Sequence, residues 1–173
     1  IHPMNYALFK PVHRRLATDD RLEFEFTGRD GKSRCPQEMY RSAGLISGQV
    51  VHTARMRLAR YDLFIACNFR TIPWRARHKV QTYHGVSPVN SFLRKPHRIQ
   101  KYDKLFLYGP HMKRRLVETR TLAEDDPRME MIGWPKLDAL VDGSLDRRVI
   151  LENCGLDPAR KTVLYAPGWK KKG

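Results

Sequence analysis

The strongest constraint in the sequence is an apolar run, YDLFIACNF, that begins at Tyr61. A run with so few polar residues is typical of a strand buried on both faces, as in a parallel sheet covered by helices. The strand-like segments KVQTY, DKLFLYG and RMEMIG follow it, and PHMKRRLVETRTLA predicts a helix with Pro110 in its first turn. This alternation predicts an α/β fold with a Rossmann-like parallel sheet flanked by helices.

The segment before Tyr61 gives weaker predictions. LEFEF, which begins at Leu22, alternates like a strand, and Pro11 interrupts a helical pattern, which favours two short pieces. The segment SGQVVHTARMRLARY predicts one helix whose apolar stripe consists of Val50, Val51, Ala54 and Leu58.

Three parts are predicted along the chain. Residues 1–134 form the Rossmann-like domain, residues 135–160 form an interdomain connection with two short helices, and residues 161–173 hold the first strand of a second, nucleotide-binding domain. The chain does not begin with Met and carries no signal-peptide pattern at its start. We therefore expect a fragment of a longer protein, and the three scattered cysteines favour a reducing, cytoplasmic setting.

The charge predicts an anionic partner. Lys and Arg number 33 against 18 Asp and Glu, so the formal net charge is +15. Such an excess favours a phosphate-rich substrate, an anionic membrane surface or nucleic acid. No apolar run approaches the ~20 residues of a membrane-spanning helix. The three cysteines (Cys35, Cys67, Cys154) lack C-x-x-C spacing, so we expect no metal site, and Cys67 is expected in the core.

The candidate site residues lie directly after predicted strands. His84 and Gly85 follow KVQTY, Arg70 follows the apolar run, and Gly133 follows RMEMI. In a parallel sheet these positions share the carboxyl edge, where ligands bind. A histidine there can act as a general base near neutral pH, although a hydrogen-bonded structural role is the commoner one for such a residue.

The ordered segments VQTYHGVSPVNSF, YDKLFLYGPHM, MIGWPKLDAL and GLDPARKTVLYAPGW, together with the apolar run, resemble the CDP-glycerol glycerophosphotransferase family. The resemblance covers the chain from about Tyr61 onward. It departs from the family where Asn90 stands in place of a lysine that often follows the His-Gly step, and where Gly168 lies between Ala166-Pro167 and Trp169.

The resemblance implies two Rossmann-like domains in a glycosyltransferase-B-like arrangement, of which this chain holds the acceptor side and is expected to be inactive alone. It implies that His84 is the base that deprotonates the acceptor hydroxyl during teichoic-acid-type polymer synthesis. Gly85, Ser87 and Asn90 are expected to shape its loop and Arg70 to contact phosphate. The residues expected at the domain junction and cleft are Gly133, Pro135, Lys136 and Asp138, although a Lys136–Asp138 ion pair that caps a helix is the favoured alternative there.

The predicted donor is CDP-glycerol as a substrate, with no cofactor, and the predicted acceptor is polymeric or membrane-anchored. The protein is therefore expected at the inner face of the cell membrane. Two alternatives stay open at this point. One is a sugar-nucleotide glycosyltransferase or epimerase of the same fold, because fold does not determine chemistry. The other is a basic nucleic-acid-binding module.

Overall fold

The structure is a computed structural model that describes residues 6–28, 40, 45, 47–67, 72–85 and 96–166. Its centre is a sheet of four parallel strands: β1 (Tyr61–Ala66), β2 (Ala76–Gln81), β3 (Lys104–Leu107) and β4 (Met129–Met131). The strands follow one another across the sheet in chain order, β1-β2-β3-β4. The register pairs Tyr61 with Ala76, Val80 with Lys104 and Leu105 with Met129. The predicted α/β class with a parallel sheet is confirmed.

Three helices, α1 (Tyr6–Leu16), α2 (Thr53–Leu58) and α3 (Pro110–Glu118), belong to the same part of the chain as the strands, and short 3₁₀ helices span Ser47–Gln49, Pro96–Lys101 and Pro135–Leu137. Two more helices, α4 (Asp138–Val141) and α5 (Arg147–Asn153), follow β4 along the chain. The predicted helix after Gly109 is confirmed, with Pro110 at its first turn, where the missing N–H costs no helical hydrogen bond. No helix in the part of the chain described here combines the length and the apolar character needed to cross a bilayer.

The core lies between the sheet and its helices. β3 contributes Leu105 and Leu107, and α3 places Met112 and Leu116 against them. Leu8 of α1 belongs to the same buried cluster, as does Cys67, so the prediction of a core cysteine is confirmed. A second small cluster contains Tyr6, Tyr40 and Val50. The close packing of these side chains excludes water around β3 and holds that strand in place.

The prediction that the first strand is buried on both faces is wrong for its amino-terminal half. Leu63 is 52% exposed and Asp62 is also exposed, whereas Ala66 and Cys67 at the other end are buried. β1 is an edge strand of the described sheet, with β2 as its neighbour. A continuous apolar run indicates a strand but does not tell whether helices cover its whole length.

LEFEF does not form a strand. Its contribution to pairing is a single parallel bridge between Phe26 and Val50. Phe24 and Phe26 instead pack edge-on against the His13 ring of α1, with centroids 5.1 and 5.0 Å apart. The carboxylate of Glu25 accepts hydrogen bonds from Arg55 and Tyr61. The alternation therefore arises from side-chain packing against an aromatic cluster rather than from a ladder.

The helical predictions before Tyr61 also need correction. α1 is one helix with Pro11 inside it, held by the buried side chains of Tyr6 and Leu8. The helix predicted after residue 47 begins only at Thr53, and its buried residue is Met56. Val50 and Val51 are buried in the preceding extended segment, whereas Leu58 is exposed. The predicted stripe was therefore wrong because the first two residues do not belong to the helix.

By its internal contacts the chain divides into two compact units, Ile1–Asp138 and Ala139–Gly173. In the second unit, Asp146 caps α5 by accepting hydrogen bonds from the backbone N–H of Arg148 and Val149. Gly155, with φ +71°, follows the end of this helix, as predicted. The boundaries proposed at residues 135 and 161 stay predictions, and the described part of the last segment, 161–166, forms no strand.

Hydrogen bonds of Arg128 connect the start of β4 to the 3₁₀ helix Pro96–Lys101. Arg128 donates from Nε and Nη2 to the two carboxylate oxygens of Asp126, at 2.9 and 2.7 Å, and from Nη1 to Gln100 Oε1 at 2.9 Å. Hydrogen bonds from the Arg128 guanidinium hold the pKa of Asp126 below its usual range. Because two parallel hydrogen bonds join the guanidinium to the carboxylate, they fix the orientation of both Arg128 and Asp126.

We expect Asp126→Asn to lower the free energy of unfolding by about 1 kcal/mol at pH 7. The folded-state pKa of Asp126 lies below the unfolded value, so the stabilisation is present above pH ~4 and is lost as the pH falls through the folded pKa. Urea unfolding between pH 7 and pH 3 measures this. Asp125→Asn is the matched control, because that side chain is exposed. A difference between Asp126→Asn and the parent that grows at low pH would contradict the assignment.

Candidate active site at the carboxyl edge of the sheet

The four parallel strands end at one edge of the sheet, and the residues that follow them lie along it. Cys67 follows β1, the segment 82–85 follows β2, Tyr108 and Gly109 follow β3, and the segment 132–134 follows β4. Backbone bonds continue the pairing past the strand ends, from Thr82 N–H to Ala66 O at 2.7 Å and from Ile132 N–H to Leu107 O at 2.9 Å. These bonds bring the predicted His84 position beside Cys67.

His84 is exposed at this edge, as a base that meets an incoming substrate must be. Its Nδ1 lies 3.5 Å from the backbone carbonyl oxygen of Cys67, a long contact. A carbonyl oxygen only accepts hydrogen bonds, so this contact favours the tautomer with the proton on Nδ1. The lone pair is then on Nε2, the nitrogen that can take a proton from another molecule.

Cys67 contributes its carbonyl rather than its thiol. The side chain is fully buried, and burial raises the pKa of the thiol to about 12. A thiol with so high a pKa carries almost no thiolate at neutral pH, and the buried sulfur is a poor nucleophile. The carbonyl oxygen of Cys67 is held in place beside the His84 ring because its own side chain is buried in the core.

A buried hydrogen bond joins the ends of β2 and β3. Thr82 Oγ1 and Tyr108 Oη are 2.9 Å apart, and both side chains are buried. Burial raises the pKa of Tyr108 to about 12, so this phenol is neutral at physiological pH. The side-chain amide of Gln81 donates to the Thr82 carbonyl one residue along. The residues that lead into His84 are thus held by polar but uncharged side chains.

The loop after β4 is held by aromatic stacking. The Tyr108 and Trp134 rings stack with centroids 5.8 Å apart at 24°, and the Lys136 ammonium lies 5.8 Å from the Trp134 ring centroid. Gly133, with φ +74°, makes the turn that brings Trp134 back over Tyr108, a conformation that favours glycine. The indole N–H of Trp134 is buried and has no hydrogen-bond partner within the described ranges.

The residues predicted at the domain junction follow Trp134 in the chain. Pro135 begins the 3₁₀ helix Pro135–Leu137, and Asp138 begins α4. The Lys136–Asp138 ion pair that the sequence favoured is not formed in the structure, because the Lys136 ammonium lies against the indole of Trp134 instead.

Of the remaining predicted site residues, the structure describes Gly85 but not Arg70, Ser87 or Asn90. Gly85 is half-buried beside His84, and a Cβ there would meet open space, so crowding by described residues does not explain the glycine. Arg70, Ser87 and Asn90 lie outside the described residues. No cluster of His, Cys, Asp and Glu that could hold a metal ion is found among the residues described.

Sequence reasoning missed the supporting residues of the site, namely Thr82, Tyr108, Trp134 and the Cys67 carbonyl. A usable signal was present for two of them. Tyr108 and Trp134 are large aromatic residues immediately before or after a glycine at a strand end, and aromatic side chains contribute large buried contacts. Nothing in the sequence marks a backbone carbonyl as the partner of His84.

No protein-family model, no curated protein and no solved structure matches this chain. What can be said of its chemistry therefore rests on its own residues and their geometry.

We expect Tyr108→Phe to destabilise the fold by about 1 kcal/mol, because it leaves the buried Thr82 hydroxyl without its partner. Adding Thr82→Val to Tyr108→Phe should cost little more, since both members of the pair are then apolar. Urea unfolding of the single and double variants measures the coupling between the two side chains. Tyr165→Phe, at an exposed tyrosine, is the control. Strictly additive effects would show that the hydroxyls do not interact.

We expect iodoacetamide at pH 8 to modify the exposed Cys154 and to leave Cys67 unmodified until the protein unfolds. Burial raises the pKa of Cys67 to about 12 and blocks access to its sulfur. Mass spectrometry of peptides from a Cys35→Ser variant, labelled with and without urea, separates the two cysteines. Equal labelling of both in the folded protein would overturn the assigned role of Cys67.

Proposed function

We propose that this chain is the acceptor side of a CDP-glycerol-type glycerophosphotransferase, with His84 as its general base. The observation that carries the proposal is the exposed His84 ring at the carboxyl edge of a parallel sheet, with Nδ1 facing the Cys67 carbonyl. That contact leaves Nε2 as the basic nitrogen. The family resemblance of the segments around His84, Gly133 and Pro167 supports the same role.

In the proposed reaction, Nε2 of His84 takes the proton of an acceptor hydroxyl. The acceptor oxygen attacks the β-phosphorus of CDP-glycerol and forms a new P–O bond. The bond between that phosphorus and the bridging oxygen breaks, and CMP leaves with the bond electrons. Phosphoryl transfer of this kind depends chiefly on positioning and charge stabilisation, so a base on a rigid sheet edge suits it.

The strand order supports a place in a larger doubly wound fold. In such sheets the strands on one side of the switch point follow chain order, as β1-β2-β3-β4 do here. The proposal includes a second Rossmann-like domain that binds most of the CDP-activated donor, in a glycosyltransferase-B-like arrangement. The cleft residues on this side would be Gly133, Pro135, Lys136 and Asp138, with Arg70 on phosphate and Gly85, Ser87 and Asn90 in the base loop.

The net charge of +15 supports a polyanionic acceptor, such as a glycerol-phosphate polymer attached at the inner face of the cell membrane. Arginines and lysines attract such a polymer through its charge, and this attraction does not select one polymer composition over another. The proposal requires no cofactor, because the donor carries its own activated phosphate.

The test uses the protein expressed from the whole reading frame that contains this chain. We expect it to transfer labelled glycerol phosphate from CDP-glycerol to a glycerol-phosphate oligomer. His84→Gln should lower kcat by about 10²–10⁴-fold, the usual contribution of a general base, while the dissociation constant for CDP-glycerol changes little. Rapid mixing with labelled donor measures transfer, and calorimetry measures donor binding.

His78→Gln is the matched control, because His78 is an exposed histidine within β2, the strand that His84 follows, and lies away from the carboxyl edge. Full activity of the His84→Gln variant would contradict the assignment of His84 as the general base. CDP-ribitol and UDP-sugars are offered in parallel. Consumption of a UDP-sugar in place of CDP-glycerol would assign the protein to the sugar-nucleotide glycosyltransferases instead.

A further inference from the structure

The opposite, amino-terminal edge of the sheet carries two large apolar side chains that the fold leaves in water. Leu58, the last residue of α2, is 69% exposed, and Trp74, two residues before β2, is 68% exposed. Single exposed apolar residues are ordinary, but two large neighbouring ones mark a surface that contacts another molecule.

These two side chains belong to one surface. Arg75 Nη1 lies 3.5 Å from the carbonyl oxygen of Leu58, and the Arg75 guanidinium carbon lies 4.5 Å from the Trp74 ring centroid. The pairing of Tyr61 with Ala76 places the segments that lead into β1 and β2 side by side. Arg75 therefore contacts both the backbone of Leu58 and the ring of Trp74, and the two residues lie at the same edge of the sheet.

The same surface is strongly cationic. Arg57, Arg60, Arg75 and Arg77 are all exposed, and none forms a salt bridge with a carboxylate in the described ranges. Asp62 is the one acidic residue between positions 55 and 79 of the sequence. We call these residues the amino-edge patch: Leu58, Trp74, Arg57, Arg60, Arg75 and Arg77.

We propose that the amino-edge patch docks on an anionic lipid bilayer. Tryptophan and leucine enter the boundary between headgroups and acyl chains, where apolar side chains need no shaped pocket. Arginine side chains pair with lipid phosphates at the same depth. A nucleic acid strand could stack on Trp74, but it offers no apolar environment for Leu58, and Arg75 already covers part of the indole.

Docking through this edge orients the molecule. β2 spans six residues, so its two ends lie about 20 Å apart, and His84 is beyond the end that faces away from the lipid. If the transferase proposed above is correct, the reacting hydroxyl is held away from the headgroups. The acceptor would then be a polymer end rather than a lipid headgroup. Lipid binding itself does not depend on that reaction.

The test is flotation of the full chain with vesicles of 70% phosphatidylcholine and 30% phosphatidylglycerol, and with pure phosphatidylcholine as reference. We expect binding to the anionic vesicles, weakened by added salt, with a blue shift of tryptophan emission. Arg57→Gln with Arg75→Gln should weaken partitioning about 25-fold, since each arginine near the surface contributes about fivefold. Trp74→Ser should weaken it further, whereas Trp74→Phe should keep binding and lose most of the blue shift.

The matched control is Lys101→Gln with Arg114→Gln, two exposed cations outside the patch. Thermal unfolding of each variant checks that the fold persists, because every substituted side chain is exposed. If the control pair and the patch pair lose the same share of vesicle binding, the binding depends on net charge alone, and the proposal is overturned. Absence of vesicle binding, or binding of single-stranded RNA that the patch substitutions abolish while vesicles bind unchanged, would also overturn it.

Discussion

The parallel pairing of β1, β2 and β3 is the constraint on which the candidate site depends. Because all strands run in one direction, every strand end that carries a polar group lies at the same edge. The backbone bond from Thr82 to Ala66 extends this pairing and places His84 next to the Cys67 carbonyl. An antiparallel partner in place of β2 would send the histidine to the other edge, where it would have no such support.

The two edges of the sheet differ in chemistry, and the difference follows from burial. At the carboxyl edge the supporting groups, Cys67, Thr82 and Tyr108, are buried and uncharged, whereas the His84 imidazole beside them is exposed. At the amino edge the core ends early, and arginines surround exposed apolar side chains. One short sheet thus separates the candidate site around His84 from a surface rich in exposed arginines.

The strands from Tyr61 onward and α3 could be predicted from the sequence, because apolar runs bounded by glycine and proline carry strong local signals. Before Tyr61 the predictions were wrong where tertiary packing dominates. Phe24 and Phe26 alternate because they pack on His13, not because they pair as a strand. Local pattern does not distinguish these two origins, since both place alternate side chains on one side.

The sequence alone determined the α/β class, the position of His84 just after a strand, and the excess of positive charge. These follow from residue order and composition, which act locally or add over the whole chain. Only the tertiary structure decided that the Cys67 carbonyl faces Nδ1, that Lys136 lies against Trp134 rather than pairing with Asp138, and that Leu58 and Trp74 share one cationic surface. These contacts join residues distant in the chain, and they form because strand pairing and core packing fix positions that no local pattern encodes.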